Sequence, residues 1–407
     1  MAVRRARWIP VAAALALSPM ITSVAAAQSA AARFSPFSVS FPNATVGWAL
    51  GLASCDGGTY CYRLERTVDS ARTWATMPLP ITLRSRTEDS PWYFYEPTLV
   101  AIDFADRNSG WIYGELPTAW RFGGPWRSVV RLWATTDAGR SWSEVNLAPL
   151  PTAAAIFAVA SHGGHAYLLG TNDYGSATIA TATVGSNHWR RMPAAALEMP
   201  AGGTGLQAGF VFSGSTTWLV AGNDRGMTMS DKLATSGRWV RLPDPCRRSG
   251  DAMTVPVALS PSHLLAECDV GGYSASLPPA SPPGAVPGLA WLYQSTNGGE
   301  SYEPLRAVED VRPQPYYFLF AGSGLPAAPA PGTIIAAAPV GGRARETLIE
   351  SVDSGRTWRT VYTGNVLSAA FPSASLGAVI SQSTTTTSRL VVTRDLGRTW
   401  SVASFSP

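Results

Sequence analysis

The sequence predicts an all-β chain of seven consecutive four-stranded antiparallel units, and three observations carry that prediction. An eight-residue phrase, clearest as Ser351-Val-Asp-Ser-Gly-Arg-Thr-Trp358, returns as Thr393-Arg-Asp-Leu-Gly-Arg-Thr-Trp400, Thr135-Thr-Asp-Ala-Gly-Arg-Ser-Trp142, Thr67-Val-Asp-Ser-Ala-Arg-Thr-Trp74 and, loosely, Ser295-Thr-Asn-Gly-Gly-Glu-Ser-Tyr302. Upstream stands a second phrase of fixed spacing, Phe41 to Gly47, Phe104 to Gly110 and Phe371 to Gly377, with weaker versions around Phe157, Phe212, Leu259 and Phe320. Much of the remainder is short apolar or alternating runs between Gly and Pro, as strands are, with no long amphipathic helical period. Counting two reduced copies, His188-Trp189 and Gly237-Arg238-Trp239, phrase-ending aromatics fall at 74, 142, 189, 239, 302, 358 and 400. Repeats of roughly 40 to 65 residues are each one supersecondary unit, and seven of them read as the blades of a single seven-bladed β-propeller.

In chain order, the first segment is not part of the ring. Arg4, Arg5 and Arg7, the apolar run from Ile9 to Leu17 and Ala25-Ala-Ala27 before Gln28 form the three regions of a secretory signal peptide, residues 1–27. The run is too short for a membrane span. Residues 28–407 are expected to be one exported, soluble propeller, with the repeat running from about Phe34 to Phe405. Removal of the three arginines leaves a chain close to neutral, without the basic footprint of a nucleic-acid binder.

The first unit carries Cys55 and Cys61 about a Gly-rich turn, and the fifth carries Cys246 and Cys268. In an oxidising compartment both pairs are expected to be bridged. His162-Gly-Gly-His165 has no third ligand nearby and reads as a turn rather than a metal site. No cofactor, metal or catalytic constellation is expected.

Within a meandering unit, the turns joining strands one to two and three to four share one end, and the remaining connections share the other. The repeated phrase is a three-to-four turn: Asp69, Asp137, Asn297, Asp353 and Asp395 accept from backbone N–H groups ahead of them, and the Gly two residues on takes a left-handed conformation. The arginines at the sixth position, Arg72, Arg140, Arg356 and Arg398, then form an arc on that end. Three long insertions are expected on the opposite end, from Pro78 to Leu99, Gly114 to Ser128 and Arg306 to Phe318. They hold Trp92, Tyr93, Tyr95, Trp120, Arg121, Trp126, Arg127, Tyr316 and Tyr317, aromatic planes beside arginines that suit a sugar polymer or a peptide. The stretch from Ser274 to Gly288, rich in Pro, Ala and Ser, reads as a loop there.

The eight-residue phrase resembles the Asp-box, or BNR repeat, of sialidase-like β-propellers; three copies match it nearly fully, while Ala71 replaces Gly in one and Asn297 and Tyr302 relax another. The resemblance implies fold more than activity. The sialidase branch carries an Arg-Ile-Pro motif that is absent here, and the xyloglucan-cleaving branch builds its cleft between two rings. The seven-bladed photosystem II assembly factors are single-ring and non-enzymatic, and are the most similar in architecture. The expectation is therefore a secreted or periplasmic, monomeric, non-catalytic binder of an extracellular or cell-envelope protein or glycan; the alternative is a glycoside hydrolase, with loop carboxylates as acid and base.

Overall fold

A computed structural model describes residues 34–55, 60–80, 100–119, 127–147, 155–171, 177–192, 207–222, 228–245, 252–253, 256–269, 291–307, 327–339, 346–384 and 387–405. Among them every regular element is a β-strand, and every strand pairing is antiparallel. One sheet holds β1 (Ser35–Ser40), β2 (Gly47–Ser54), β3 (Tyr60–Thr67) and β4 (Ala75–Met77), in that order. The next three repeat the pattern: β5 (Val100–Phe104), β6 (Gly110–Ala119), β7 (Arg127–Thr135) and β8 (Ser143–Glu144); β9 (Ala155–His162), β10 (His165–Thr171), β11 (Ala177–Thr183) and β12 (Arg190–Arg191); β13 (Gln207–Ser213), β14 (Thr216–Gly222), β15 (Thr228–Leu233) and β16 (Trp239–Leu242).

A fifth sheet splits its first strand into β17 (Ala252–Met253) and β18 (Val257–Ala258), both paired to β19 (Leu264–Asp269), followed by β20 (Trp291–Ser295) and β21 (Glu303–Ala307). The last sheet runs through β22 (Ala327–Ala330), β23 (Thr333–Pro339), β24 (Glu346–Ser351), β25 (Arg359–Ser373), β26 (Leu376–Thr384), β27 (Thr387–Thr393) and β28 (Ser401–Val402). Two of the expected units are fused here: β25 pairs with β24 up to Gly364 and with β26 from Asn365 onward. A second difference lies in the connection expected from Gly114 to Ser128. Glu115 pairs with Val130 and Ala119 with Arg127, so backbone pairing extends the hairpin and leaves only 120–126 between the strands.

Packing follows from the buried faces. The run β2, Gly-Trp-Ala-Leu-Gly-Leu-Ala, is buried throughout, because both faces of its sheet lie against another sheet. Trp48, Leu50 and Leu64 pack on Ile102, Phe104, Ile112 and Trp133, and Trp111, Tyr113 and Leu132 pack on Val159, Leu168 and Trp189. Leu376, Ile380 and Leu390 pack in turn on Val39, Phe41, Ala49 and Trp74. The first strands touch in sequence order, β1 to β5, β9, β13, β18, β22 and β25, and β25 touches β1 again. Ser38 and Ser40 of β1 accept the N–H groups of Ile102 and Phe104 of β5, at 3.1 and 2.9 Å.

The spacing from Phe to Gly has a steric basis. A Cβ on Gly47, Gly110 or Gly377 would stand 2.2–2.3 Å from the ring of Phe41, Phe104 or Phe371, so each ring lies directly over the bare backbone of the facing strand. Phe104 in turn stacks on Trp48 with centroids 3.6 Å apart, joining two sheets through one phrase.

Candidate functional site

Five turns share one geometry. In the turn after β7, Asp137 Oδ1 accepts the Thr135 hydroxyl and the Ser141 N–H, both at 2.8 Å, and Oδ2 accepts the Ser141 hydroxyl at 2.6 Å. Thr135 Oγ1 accepts the Gly139 N–H at 2.9 Å. Asp69, Asp353 and Asp395 repeat these bonds with Thr73, Thr357 and Thr399, and Asn297 keeps them by donating from Nδ2 to Ser301 Oγ at 2.9 Å.

Sequence reasoning missed two features of this turn. The residue before the Gly position is also left-handed, with φ of 61° at Ser70, 66° at Ala138, 60° at Ser354 and 56° at Leu396. The opening Ser or Thr is a structural partner of the Asp; its presence in all five copies was the available signal.

The electrostatics match. Hydrogen bonds from Thr357 and Thr399 hold the carboxyls of Asp353 and Asp395 down to about 2, and those from Thr73 lower Asp69 further. At Asp137 burial pulls the other way, but the bonds from Ser141, Thr135 and Arg140 outweigh it. These carboxylates are committed to their turns.

Four of the five turns are tied to their surroundings through the N–H of the fourth residue, and three of these through its carbonyl as well. The N–H groups of Ser70, Ala138, Gly298 and Ser354 donate to Thr45, Asn108, Ser262 and Gly332, in the strand-one-to-two turn of the same meander, so the two kinds of turn share one end as expected. The Ala138 carbonyl accepts the Trp48 indole N–H at 3.2 Å, and the Gly298 carbonyl accepts that of Trp218 at 3.0 Å. The Ser70 carbonyl accepts Arg394 Nη2 at 2.7 Å. In each case the donor stands on the neighbouring sheet. Arg72, Arg140, Arg356 and Arg398 are exposed on this end.

The other expected residues divide as follows. Cys55 and Cys61 are bridged, with Cα atoms 5.8 Å apart. Cys246 lies outside the described residues, as do Trp92, Tyr93, Tyr95, Trp120, Arg121, Trp126, Tyr316 and Tyr317; only the backbone of Arg127 is described, opening β7. The strand ends from which the three insertions leave, Met77, Ala119 and Ala307, are at the end of their sheets away from the repeated turns, because every pairing is antiparallel. His162 and His165 flank a two-residue turn with Gly163 and Gly164 at φ of 58° and 79°, and His162 stacks on Phe212 while its Nε2 meets the Gly214 carbonyl. Trp189 and Trp239 are buried where the reduced copies placed them. Among the described residues no cluster of three or more His, Cys, Asp or Glu could hold a metal, and no helix is long and apolar enough to cross a membrane.

One solved structure, YCF48 from Cyanidioschyzon merolae, superposes on 90% of this chain and 97% of its own length, at 15% identity and a TM-score of 0.53. The fold is that of a β-propeller. The BP39L lectin from Burkholderia pseudomallei matches 92% of this propeller and 98% of its own chain, at 14% identity and a TM-score of 0.51. A puromycin-hydrolysing peptidase from Mycobacterium tuberculosis matches 92% of this propeller with 52% of its own length, at 12% identity and a TM-score of 0.54. Such identities speak for fold alone, and the three include one enzyme, the peptidase, beside a lectin. No family profile and no curated protein matches this sequence.

Proposed function

We propose that residues 1–27 are a secretory signal peptide and that residues 28–407 form a single seven-bladed Asp-box propeller. It acts outside the cytoplasm as a monomeric, non-catalytic binder of an extracellular or cell-envelope protein or glycan. Seven blades are supported by the cyclic contact order of the first strands and by reading β25 as the outer strand of one blade running into the inner strand of the next. Export is supported by the Cys55–Cys61 bridge, since disulfides persist in oxidising compartments.

The observation that carries the binding reading is the separation of two ends. The repeated turns spend their carboxylates and hydroxyls on themselves, whereas two long insertions and the 120–126 loop, rich in Trp, Tyr and Arg, leave from the strand ends opposite. Loops mounted on a rigid scaffold are where binding residues concentrate, and aromatic anchors dominate interface energetics.

The test is a glycan array together with immobilised envelope polymers, probed with the wild-type protein and with Trp120→Ala/Trp126→Ala. Each substitution is expected to weaken binding by about 1 kcal/mol or more without altering the melting temperature. An unchanged affinity places the site elsewhere. Turnover in a parallel panel of glycosides would replace this reading with that of a glycoside hydrolase.

A further inference from the structure

We propose that the repeated-turn end of three adjacent sheets, β22–β28, β1–β4 and β5–β8, is a second binding surface whose ligand is an anionic polysaccharide with regularly spaced charges. Arg356, Arg398, Arg72 and Arg140 occupy the same position of the same turn on these sheets, and all four are exposed. The sheets are contiguous, because β1 contacts both β25 and β5. At the corresponding positions of the other three sheets stand Asn187, Gly237 and Glu300, so the arc is confined to one sector.

The turn aims the cations outward. Asp69 Oδ1 accepts N–H groups of Arg72 and Thr73 and the Thr67 hydroxyl, and Oδ2 accepts the Thr73 hydroxyl, so the carboxylate is satisfied within the turn. The guanidinium is held by a bond from Nη1 to the Asp69 carbonyl at 3.1 Å, repeated by Arg140 to Asp137 at 3.3 Å, with further N–H groups left to donate. Two more cations lie by the arc: Arg394, bound to the Ser70 carbonyl, and Arg66, whose guanidinium lies 5.4 Å from the Trp48 ring centroid. Burial and then the nearby charge of Arg140 lower the Arg66 pKa. Four exposed arginines at the same turn position of adjoining sheets present a repeated cationic array, and a polyanion with repeated charges is its complement.

Polygalacturonate is the probe, with dextran as the neutral polymer and polyglutamate as the acidic polypeptide, titrated at about 20 and about 150 mM salt to bracket the screening range. Binding of polygalacturonate is expected at low salt and is expected to weaken as salt rises. The variant R72Q/R140Q/R356Q/R398Q should lose at least about tenfold in affinity, the loss of roughly one strong charged contact. The variant R190Q/R191Q/R238Q, which removes exposed charge from other sheets, should change it by less than about twofold. If the fourfold variant fails to fold, R72Q/R140Q and R356Q/R398Q are measured separately, and each should show part of the loss. Trp120→Ala/Trp126→Ala should leave this binding intact, which separates this surface from the long-loop face. Absence of polygalacturonate binding at low salt, or an equal loss in both arginine variants, overturns the proposal. Tighter binding of polyglutamate overturns it too, and assigns the surface to an acidic polypeptide.

Discussion

Replacing Asp137 tests whether the repeated turn is a hydrogen-bond device. Its side chain accepts three bonds, from the Thr135 hydroxyl, the Ser141 N–H and the Ser141 hydroxyl. At about 0.5–1.5 kcal/mol net for each bond, and with the turn half in water, Asp137→Ala should cost about 2 kcal/mol. The loss should also reach the neighbouring sheet, since the Ala138 carbonyl in this turn holds the Trp48 indole. Asp137→Asn should cost less than about 1 kcal/mol, because Asn297 already solves the same problem: its Oδ1 accepts from Ser301 N and Ser295 Oγ, and its Nδ2 reverses the last bond. The two variants also differ with pH. The folded-state pKa of Asp137 is depressed, so its contribution is present above the ordinary carboxylate pKa and is lost as pH falls through the lower folded value. Urea unfolding at neutral pH and near pH 3 should therefore show wild type losing more stability on acidification than D137N. Equal costs for D137A and D137N at neutral pH would refute the reasoning, because the turn would then depend on charge rather than on bond geometry.

Gly110→Ala places a Cβ 2.3 Å from the Phe104 ring and should destabilise by about 1–3 kcal/mol, with partial recovery when Phe104→Leu is added; a thermal melt of the single and double variants checks both. Asp103 has its Oδ2 buried without a hydrogen-bond partner, and desolvation pushes its pKa up to about 7. A carboxyl raised in the folded state costs nothing below its unfolded pKa and opposes folding increasingly as pH rises towards 7, by a few kcal/mol at the ceiling. Asp103→Asn should therefore gain stability over wild type between pH 4 and pH 8, and a pH-independent difference between the two rules this out.

What could be read from the sequence was whatever repeats. The Asp, the Gly and the closing aromatic recur because each turn solves the same local problem with bonds that span at most a few residues, so Asp69, Asp137, Asn297, Asp353 and Asp395 were found together. The left-handed fourth residue escaped notice because Ser, Ala, Gly and Leu all occupy it; the hydrogen bonds impose the conformation, so the residue type does not announce it. The fusion of two units in β25 was equally silent, since a strand that changes partners at Gly364 has no turn to mark the change. Contacts between sheets are one step further from the sequence. Trp48 and Trp218 make the same bond to the next turn, yet Trp111 instead meets Trp189 edge-on, because the turn that would supply its carbonyl belongs to a reduced copy. The order of legibility therefore runs from bonds within a turn, to strands within a sheet, to packing between sheets. A binding surface built from insertions comes last, because Trp92, Trp120 and Tyr316 have no counterpart at the same position in other repeats. The box arginines are the exception: they are candidate ligand-facing residues that sit inside the repeat itself, at one fixed position, and in Arg72 and Arg140 the guanidinium is held by the carbonyl of the turn's own Asp.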